Sequence, residues 1–245
     1  MRVVHISDTH AKHRILKVPE CDVVSFTGDM GTRTNLSELN EFLIWFEKLP
    51  AKVKIFIAGN HDICLDKKWV QKEKNEGYIQ GMLASQHWHD ARDLIAQFDV
   101  KYLENTDYVY EGVKFYGSPY SPSFHRSRWV FNADRGQEIK TIWGRIPDDT
   151  NVLLTHSPAF GILDEVPLQG RTDWHKDGHV GCEDLMEVIQ KRLTQLKLHC
   201  FGHIHDNAGI LIKKVTKTRQ VIFSNGACVN NQYQPVITKP FIIEI

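Results

Sequence analysis

The sequence predicts an α/β fold with mixed β-sheets, and three features of the chain predict it. Short apolar segments rich in β-branched residues recur along the chain, as expected for buried strands. The first of them follow the order strand, helix, strand, which is typical of parallel β-α-β units. Two later strands are separated by Glu111 and Gly112, a pair that suits a hairpin turn and adds an antiparallel connection.

The amino-terminal elements are three strands and one helix. The strands are predicted at 2–7, 21–27 and 52–58, where apolar β-branched residues cluster. Asn35 is a candidate helix N-cap, and apolar residues recur at three- and four-residue spacing from Leu39 to Leu49. Pro50 ends this amphipathic helix.

The rest of the chain adds helices, strands and one unusual loop. Residues 66–99 have apolar residues at loosely helical intervals and are predicted to form helical segments that cover a sheet. Residues 118–132 are rich in proline, serine and aromatic residues, which predicts a packed surface loop and a candidate wall of a substrate pocket. Further helices are predicted at 134–143 and 182–193. Further strands are predicted at 101–103, 108–110, 114–117, 151–155, 198–201, 210–213, 220–224 and 236–245.

Composition excludes several classes of protein. The chain has 245 residues and 42% hydrophobic content, which suits a single domain over residues 1–245. Its formal net charge is zero, so no overall field attracts nucleic acid or anionic lipid. No apolar stretch approaches the roughly 18–20 residues of a membrane span, and the first residues lack secretory features, so we expect a cytoplasmic protein without a membrane partner. The five cysteines are scattered, which predicts reduced thiols rather than disulfides or structural zinc.

Five of the predicted strands end in short loops that carry Asp, Asn or His. Because ligands of an α/β sheet bind beyond the carboxyl ends of its strands, we expect these loops to converge. Carboxylate, amide and imidazole groups without thiolates favour a catalytic site for Mn, Fe or Zn. The residues concerned are Asp8, His10, Asp29, Asn60, His61, His156, His203 and His205.

The spacing of these residues is compatible with two ions. Side chains at i and i+2 share one side of an extended backbone, but a turn at a strand end can direct them to different ions. This applies to the pair Asp8 and His10 and to the pair His203 and His205. Two metals about 3.5–4 Å apart need a bridging ligand, and Asp29 is the candidate.

The same loops form five sequence blocks in a fixed order. They are Asp8-x-His10, Gly28-Asp29, Gly59-Asn60-His61-Asp62, His156, and Gly202-His203-x-His205. Together they resemble the signature of the calcineurin-like metallophosphoesterases. A closer similarity, to the metallophosphoesterase-domain proteins related to the fetal brain protein family, covers nearly the whole chain. Its further segments include 116–119, 180–182 and 234–236.

The resemblance implies a four-layer α/β/β/α sandwich of two mixed sheets, with a dimetal site at one edge. It also implies two divalent ions, with Mn²⁺ favoured and Fe²⁺ or Zn²⁺ as alternatives, and in-line attack on phosphorus by a hydroxide that bridges them. By motif match, Asp8, His10 and His205 would hold the first ion, Asn60, His156 and His203 the second, and Asp29 would bridge them.

The resemblance also suggests roles for residues that hold no metal. The matching histidine of the family lies near the leaving-group oxygen, so His61 is assigned as general acid or phosphate stabiliser. Asp62 is a candidate for orienting the His61 ring, with a loop-capping carboxylate as the alternative. Arg33 is a candidate clamp for a phosphate oxygen, with a solvated loop arginine as the alternative.

Departures from related families narrow the prediction. Thr32 stands where serine/threonine protein phosphatases carry Asp and where purple acid phosphatases need a Tyr ligand, so a ferric, coloured site is not expected. No segment resembles the capping domain of the double-strand-break nucleases, and the neutral charge gives no support for binding long DNA.

The other histidines and aromatic residues divide into two groups. Ordinary structural or core roles are predicted for His5, His87, His89, Phe42, Trp45 and Phe46. Contact with substrate is considered for His125 and Arg126 of the aromatic loop, and for His175 and His179 of a polar loop that could equally be plain surface.

The sequence therefore predicts a metal-dependent phosphodiesterase for a small, cyclic-nucleotide-like or other diester. A broad-specificity phosphomonoesterase and a nuclease are the alternatives. A non-enzymatic scaffold is disfavoured, because relatives that lose hydrolysis tend to lose ligands and all seven expected ligands are present. The predicted partner is a small phosphoester, and nucleic acid is disfavoured.

Overall fold

A computed structural model describes residues 1–69, 89–124, 129–167 and 178–245, and two β-sheets form its centre. The strands of the first sheet are β1 (Arg2–Ile6), β2 (Cys21–Thr27), β3 (Ala51–Ile57), β4 (Lys101–Tyr102) and β13 (Phe241–Glu244). The strands of the second are β5 (Thr106–Tyr110), β6 (Val113–Ser118), β9 (Val152–Thr155), β10 (Leu198–Phe201), β11 (Gly209–Lys214) and β12 (Gln220–Asn225). A separate pair consists of β7 (Ser121–Pro122) and β8 (Asn132–Ala133). The helices are α1 (Leu36–Glu47), α2 (Gln137–Trp143) and α3 (Glu183–Lys191), and residues 67–69 and 89–95 are also helical.

Both large sheets are mixed, as the sequence predicts. The first has the order β13-β1-β2-β3-β4, in which only β13 is antiparallel to its neighbour. The second has the order β11-β12-β10-β9-β6-β5, with antiparallel strands at both edges. The β5–β6 turn holds Glu111 at φ 47° and Gly112 at φ 78°, two positive values that match the twist of a tight hairpin.

Three apolar clusters separate four layers. Successive residues of a strand point to opposite faces, so Val23 of β2 packs between the sheets whereas Val24 and Phe26 pack beneath α1. On the other side, Trp143 of α2 and Leu185 of α3 cover the outer face of the second sheet. The order helix, sheet, sheet, helix confirms the α/β/β/α sandwich.

Most element boundaries differ from the sequence-based prediction by one or two residues, and three differences are larger. The aromatic loop contains the two-residue strands β7 and β8, which are too short to show periodicity. The final strand begins at Phe241 rather than at 236, because the amides of Val236 and Ile237 both donate to the Cys228 carbonyl, outside the sheet, and Pro240 has no amide hydrogen to donate. Helix α2 begins at Gln137 rather than at 134, because its N-cap, Gly136, has a non-helical φ of 86°.

The topology brings five loops to one edge of the sandwich. Strands β1, β2 and β3 are parallel in the first sheet, and β9 and β10 are parallel in the second. Each of these strands is followed by one of the polar sequence blocks. The backbone of Gly202, after β10, donates to the His156 carbonyl after β9 at 2.9 Å, so the two loops of the second sheet are joined directly.

Two further findings bear on composition. All five cysteines are free, buried thiols, as the sequence predicts. Within the described ranges, no helix combines the length and the apolar character that crossing a bilayer would require.

Two histidines are buried away from the loops. His5 lies between the sheets, where Nδ1 is 2.7 Å from Ser224 Oγ and Nε2 is 3.0 Å from Thr27 Oγ1. His199 of β10 contacts Thr155 Oγ1 through Nε2 at 2.7 Å. Burial lowers the pKa of each to about 3, so both imidazoles are neutral in the folded protein near pH 7. The predicted structural role of His5 agrees with this placement.

Acidification is expected to destabilise the fold through these histidines. His199 titrates near pH 6.5 when unfolded and near 3 when folded, so its contribution to stability is present above pH 6.5 and is lost as the pH falls towards 3. Between pH 7 and pH 5, the free energy of unfolding should fall by about 2 kcal/mol less in His199→Gln than in wild type. Denaturant titration of metal-free protein measures this, with the exposed His89→Gln as control. If the free energy of unfolding fell equally in His199→Gln and in His89→Gln between pH 7 and pH 5, the neutral state of folded His199 would be contradicted.

Candidate metal centre

The strand ends direct the site residues inwards through unusual backbone conformations. Asp8, His10, Asp29 and His203 have positive φ values of 48°, 40°, 60° and 68°. Non-glycine residues seldom adopt this region, and such strain concentrates at functional sites. Each residue lies where a chain turns sharply at the end of a strand, and the turn points the side chain into the space shared by all five loops.

Two glycines allow the loops to approach one another. A Cβ added to Gly59 would collide with Asp29 Oδ1 and the His156 ring, so the loops after β2, β3 and β9 can meet only with glycine at this position. A Cβ on Gly202 would collide with the Asp8 carboxylate and the Ser7 side chain. The Gly residues of the sequence blocks are therefore required by close packing.

Asp29 is at the centre of the site. Its side chain is buried, and Oδ1 accepts a hydrogen bond from the His61 amide at 2.8 Å. The other oxygen, Oδ2, faces three imidazole nitrogens. These are Nε2 of His156 at 3.4 Å, of His10 at 3.7 Å and of His61 at 3.9 Å. One carboxylate oxygen thus faces histidines from three loops, and two of these, His10 and His156, are the predicted ligands of different ions, as expected for a bridging residue.

Four imidazoles of the site are fixed by the same kind of contact. Each presents Nδ1 to a backbone carbonyl oxygen, which can only accept a hydrogen bond. The pairs are His10 with Gly31 at 3.1 Å, His61 with Thr32 at 2.5 Å, His156 with Thr27 at 2.8 Å and His205 with Asn230 at 3.1 Å. Each Nδ1 atom therefore carries a proton, and each ring turns Nε2 towards the centre, where this atom can offer a lone pair to a metal ion once it carries no proton itself. Metal-ligating histidines show this arrangement.

The inward-facing atoms are close enough to share a cation. Nε2 of His10 and Nε2 of His205 are 3.3 Å apart. Nε2 of His156 is 2.9 Å from the Asn60 amide oxygen. In the metal-free protein a proton on one ring can join each pair, and a bound metal ion would replace that proton. Three groups have ligand atoms within 4.8 Å of one another: Asp8, His10 and His205; Asp8, Asp29 and His156; and His10, Asp29 and His61.

The charges of the centre are strongly coupled. Burial raises the pKa of Asp8, but the hydrogen bond from His205 and the charge of His156 outweigh it, and the pKa falls to about 2. Burial likewise raises the pKa of Asp29, and the neighbouring His156 lowers it well below the usual range. Burial lowers the pKa of His156, whereas Asp29 raises it to about 9. Two buried carboxylates thus remain ionised and require positive charge nearby, which histidine supplies in the metal-free protein.

The structure places the seven predicted ligands around one centre. Their side chains are not all equally close to one another. The His203 amide donates to both carboxylate oxygens of Asp8, at 2.9 and 3.1 Å. Its ring centroid is 5.0 Å from that of His156, and both His203 and Asn60 line the same cavity. The predicted division of the ligands between two ions stays a prediction.

His61 lies beside the centre, but Asp62 does not orient its ring. The ring is held by the Thr32 carbonyl and packs against Trp129 at a centroid distance of 4.3 Å. The Asp62 carboxylate instead accepts from the amides of Gly59, Asp29 and Met30, at 2.7, 2.8 and 3.1 Å, and from the Thr34 hydroxyl at 2.5 Å. The prediction that Asp62 orients His61 is therefore wrong, because adjacent side chains diverge at this turn. Asp62 instead caps the loops by accepting hydrogen bonds from their amides, which is the alternative given in the sequence analysis.

Removing the Asp62 carboxylate should loosen the centre. Asp62→Ala leaves three buried amides and one hydroxyl without an acceptor, and we expect the free energy of unfolding to fall by roughly 3 kcal/mol or more. Metal affinity should weaken about 10- to 100-fold, because Asp29 and Gly59 lose their support. Denaturant titration and Mn²⁺ binding measure the two effects, with the exposed Asp93→Ala as control. Unchanged metal affinity would show that the loops need no such brace.

Several other predicted residues lie away from the centre. Arg33 is exposed and is absent from the described cavity walls, so its clamp role stays a prediction. Nδ1 of His179 contacts Asp164 Oδ1 at 2.7 Å, and its ring is also absent from those walls, so its contact with substrate stays a prediction. Predictions for His87, His125, Arg126 and His175 lie outside the described residues.

A cavity of about 400 Å³ opens over the centre. Its walls combine polar residues with apolar and aromatic ones, and the apolar and aromatic set includes Phe124, Trp129, Pro158, Val166, Val180 and Tyr233. Phe124 and Trp129 come from the aromatic loop, which the sequence singled out as a candidate substrate wall. Tyr233 was not predicted, and its only sequence signal is the neighbouring segment 234–236, noted above for its resemblance.

Comparisons with known proteins agree with this geometry. A family model described as calcineurin-like phosphoesterase matches residues 1–207. The chain is 32% identical to metallophosphoesterase domain-containing protein 1 of Homo sapiens, an alignment that covers 100% of this chain and 71% of the human protein. It is 31% identical to UPF0046 protein K07C11.7 of Caenorhabditis elegans, with 100% and 75% covered. The fold is similar to the crystal structure of phosphopantetheinyl hydrolase from Mycobacterium tuberculosis, with a TM-score of 0.55, 14% identity, and coverage of 91% of this chain and 88% of that one.

Proposed function

The chain belongs to the calcineurin-like phosphoesterase family, and from that premise we propose that it is a phosphodiesterase for small, cyclic-nucleotide-like or other diesters. The family supports metal-dependent hydrolysis of phosphoric esters in general. The observation that carries the proposal is the position of Asp29 Oδ2, which faces Nε2 of three histidines at 3.4–3.9 Å in the floor of the cavity.

The proposed cofactor is a pair of divalent ions, Mn²⁺ first and Fe²⁺ or Zn²⁺ as alternatives. Asp8, His10 and His205 would hold one ion and Asn60, His156 and His203 the other, with Asp29 shared. When bound, such ions act as Lewis acids and activate water at neutral pH. Backbone carbonyls keep three of these histidine rings, those of His10, His156 and His205, oriented for this role, so little reorganisation is required on binding.

His61 is proposed to supply the proton that the leaving group needs. Its Nδ1 is committed to Thr32, so only Nε2 is free to face a substrate. That nitrogen is 3.9 Å from Asp29 Oδ2, at the boundary between the metal ligands and the open cavity. A general acid at this boundary can reach an oxygen that leaves phosphorus.

The cavity walls favour a diester over a monoester. Within the described walls, Arg135 is the one Lys or Arg side chain, and its guanidinium donates to the Gly181 and Val180 carbonyls and to Glu183. A monoester brings two negative charges and a diester only one, so a cavity whose one described Lys or Arg side chain is already paired suits the diester. The aromatic walls suit an organic group on the phosphorus.

We also propose a small phosphoester as the partner, without nucleic acid or membrane, on the basis of the zero net charge. The free state of all five thiols supports a cytoplasmic location.

Hydrolysis of a diester and its matching monoester by one metal-loaded sample tests the proposal. We expect faster diester cleavage with Mn²⁺, loss of activity with chelator, and loss in Asn60→Ala but not in Asn40→Ala on the remote helix α1. A monoester preference would favour a broad-specificity phosphatase, and cleavage of single- or double-stranded nucleic acid would favour a nuclease. Bound metal without any ester cleavage would favour a scaffold.

A further inference from the structure

A loop outside the segment matched by the family model reaches the metal centre. This loop, residues 229–235, is closed by a bridge between Val229 and Pro235. Asn230 Oδ1 accepts from the amides of Gln232 and Gln234 at 3.0 and 2.9 Å. The Asn230 carbonyl accepts from Nδ1 of His205 at 3.1 Å and from the Tyr233 amide at 2.8 Å. One carbonyl therefore links a site histidine to Tyr233.

Tyr233 is held in a conformation that its side chain disfavours. Its φ is 57°, in the left-handed region where glycine or asparagine is adopted at lower cost. In this conformation its ring meets three site histidines edge-on. The centroid distances are 4.7 Å to His10, 5.9 Å to His205 and 6.2 Å to His61, with interplanar angles of 74–77°. The loop 229–235 thus places the Tyr233 ring against the metal centre although the left-handed backbone at this residue is energetically unfavourable.

The phenol hydroxyl of Tyr233 is available to a ligand. Tyr233 lines the cavity together with Asp29 and His61, and 42% of the residue is exposed. Among the described residues, none forms a hydrogen bond with this hydroxyl. A phosphate group bound at the centre has oxygens that the metal ions do not neutralise, and Arg135, the one Lys or Arg side chain of the described walls, is committed to other acceptors.

We propose that Tyr233 is a substrate-positioning residue whose phenol O–H donates a hydrogen bond to a non-bridging phosphoryl oxygen of a phosphate or phosphoester bound at the metal centre. This rests on the proposed function for its substrate, although it concerns phosphate binding rather than bond cleavage. The ring contacts hold the phenol in place, and the strained backbone directs it. The role extends the site to a loop beyond residue 207, the end of the matched segment.

Tyr233→Phe tests the proposal, because it removes the hydroxyl and keeps the ring contacts and the backbone. Calorimetric titration of Mn²⁺-loaded protein with inorganic phosphate should show about 10-fold weaker binding in Tyr233→Phe, the usual cost of losing a hydrogen bond to a charged group. The KM for a diester should rise by a similar factor, and Mn²⁺ content should not change. Tyr110→Phe, on the hairpin β5–β6 and outside the cavity walls, is the matched control and should bind phosphate like wild type.

The outcomes separate this proposal from the proposed function. Equal phosphate affinity in Tyr233→Phe and wild type would overturn the proposed hydrogen bond. The role of Tyr233 would then be limited to packing of its ring against the histidines. Weaker phosphate binding in the variant would support the hydrogen bond even if the wild type cleaved no ester, a result that would overturn the proposed function alone. Wild-type protein that binds Mn²⁺ but no phosphate at millimolar concentration would overturn the role of Tyr233, whereas the diester assay alone decides the proposed function.

Discussion

Asp29→Asn is expected to lower diester hydrolysis by about 10³-fold or more and to reduce bound metal from about two ions to one or fewer. The oxygen Oδ2 faces the Nε2 atoms of His10, His61 and His156, so the substitution replaces the shared anionic ligand with a neutral amide. Oδ1 of asparagine can still accept from the His61 amide, as aspartate does at 2.8 Å. The loop should therefore keep its shape while the centre loses its charge.

Elemental analysis and turnover on the same sample measure this effect. Asp107→Asn is the matched control, because Asp107 is exposed on β5 and lies outside the cavity walls. The metal-free forms should be folded in both variants by circular dichroism. Two tightly bound ions and near-normal turnover in Asp29→Asn would contradict a bridging role.

His61→Ala is expected to lower turnover by about 10²- to 10⁴-fold while bound metal is retained. The imidazole is held by Thr32 and Trp129, with Nε2 beside Asp29 and facing the cavity. A general acid matters most when the leaving oxygen is strongly basic. The loss should thus be large for an alkyl leaving group and small for a nitrophenyl leaving group.

A comparison of leaving groups distinguishes this role from metal binding. If His61 were mainly a ligand, His61→Ala would lose metal and the penalty would be the same for both substrates. His89→Ala, an exposed histidine in the helical segment 89–95, serves as control and should match wild type. Loss of metal in His61→Ala would refute the assignment.

Much of the site can be predicted from sequence because of where its residues stand. Asp8, Asp29 and His156 each follow an apolar strand within one or two residues, and parallel strands of a sheet end at a common edge. The family resemblance adds the proposed division of ligands between two ions. The periodic apolar pattern likewise predicts α1 and most strands.

What could not be predicted depends on contacts between distant loops. Asp62 stands beside His61 in the sequence, which suggested that the two cooperate, yet its acceptors serve amides from the loop after β2. Tyr233 follows β12 in an irregular loop, and its approach to His10 requires a left-handed backbone that no local pattern indicates. The two-residue pair β7–β8 is too short for periodicity to reveal.

The link between His203 and Asp8 bears on how the protein folds and unfolds. Their hydrogen bond joins residues 195 positions apart, and the His156 contact with Thr27 spans 129 positions. Contacts between residues so far apart in the sequence have a large entropic cost of loop closure. They are therefore expected to form late in folding, after the individual sheets. Interactions absent from the folding transition state act on the unfolding rate. A cation captured by this centre should therefore lengthen the lifetime of the native state while leaving the rate of its formation nearly unchanged.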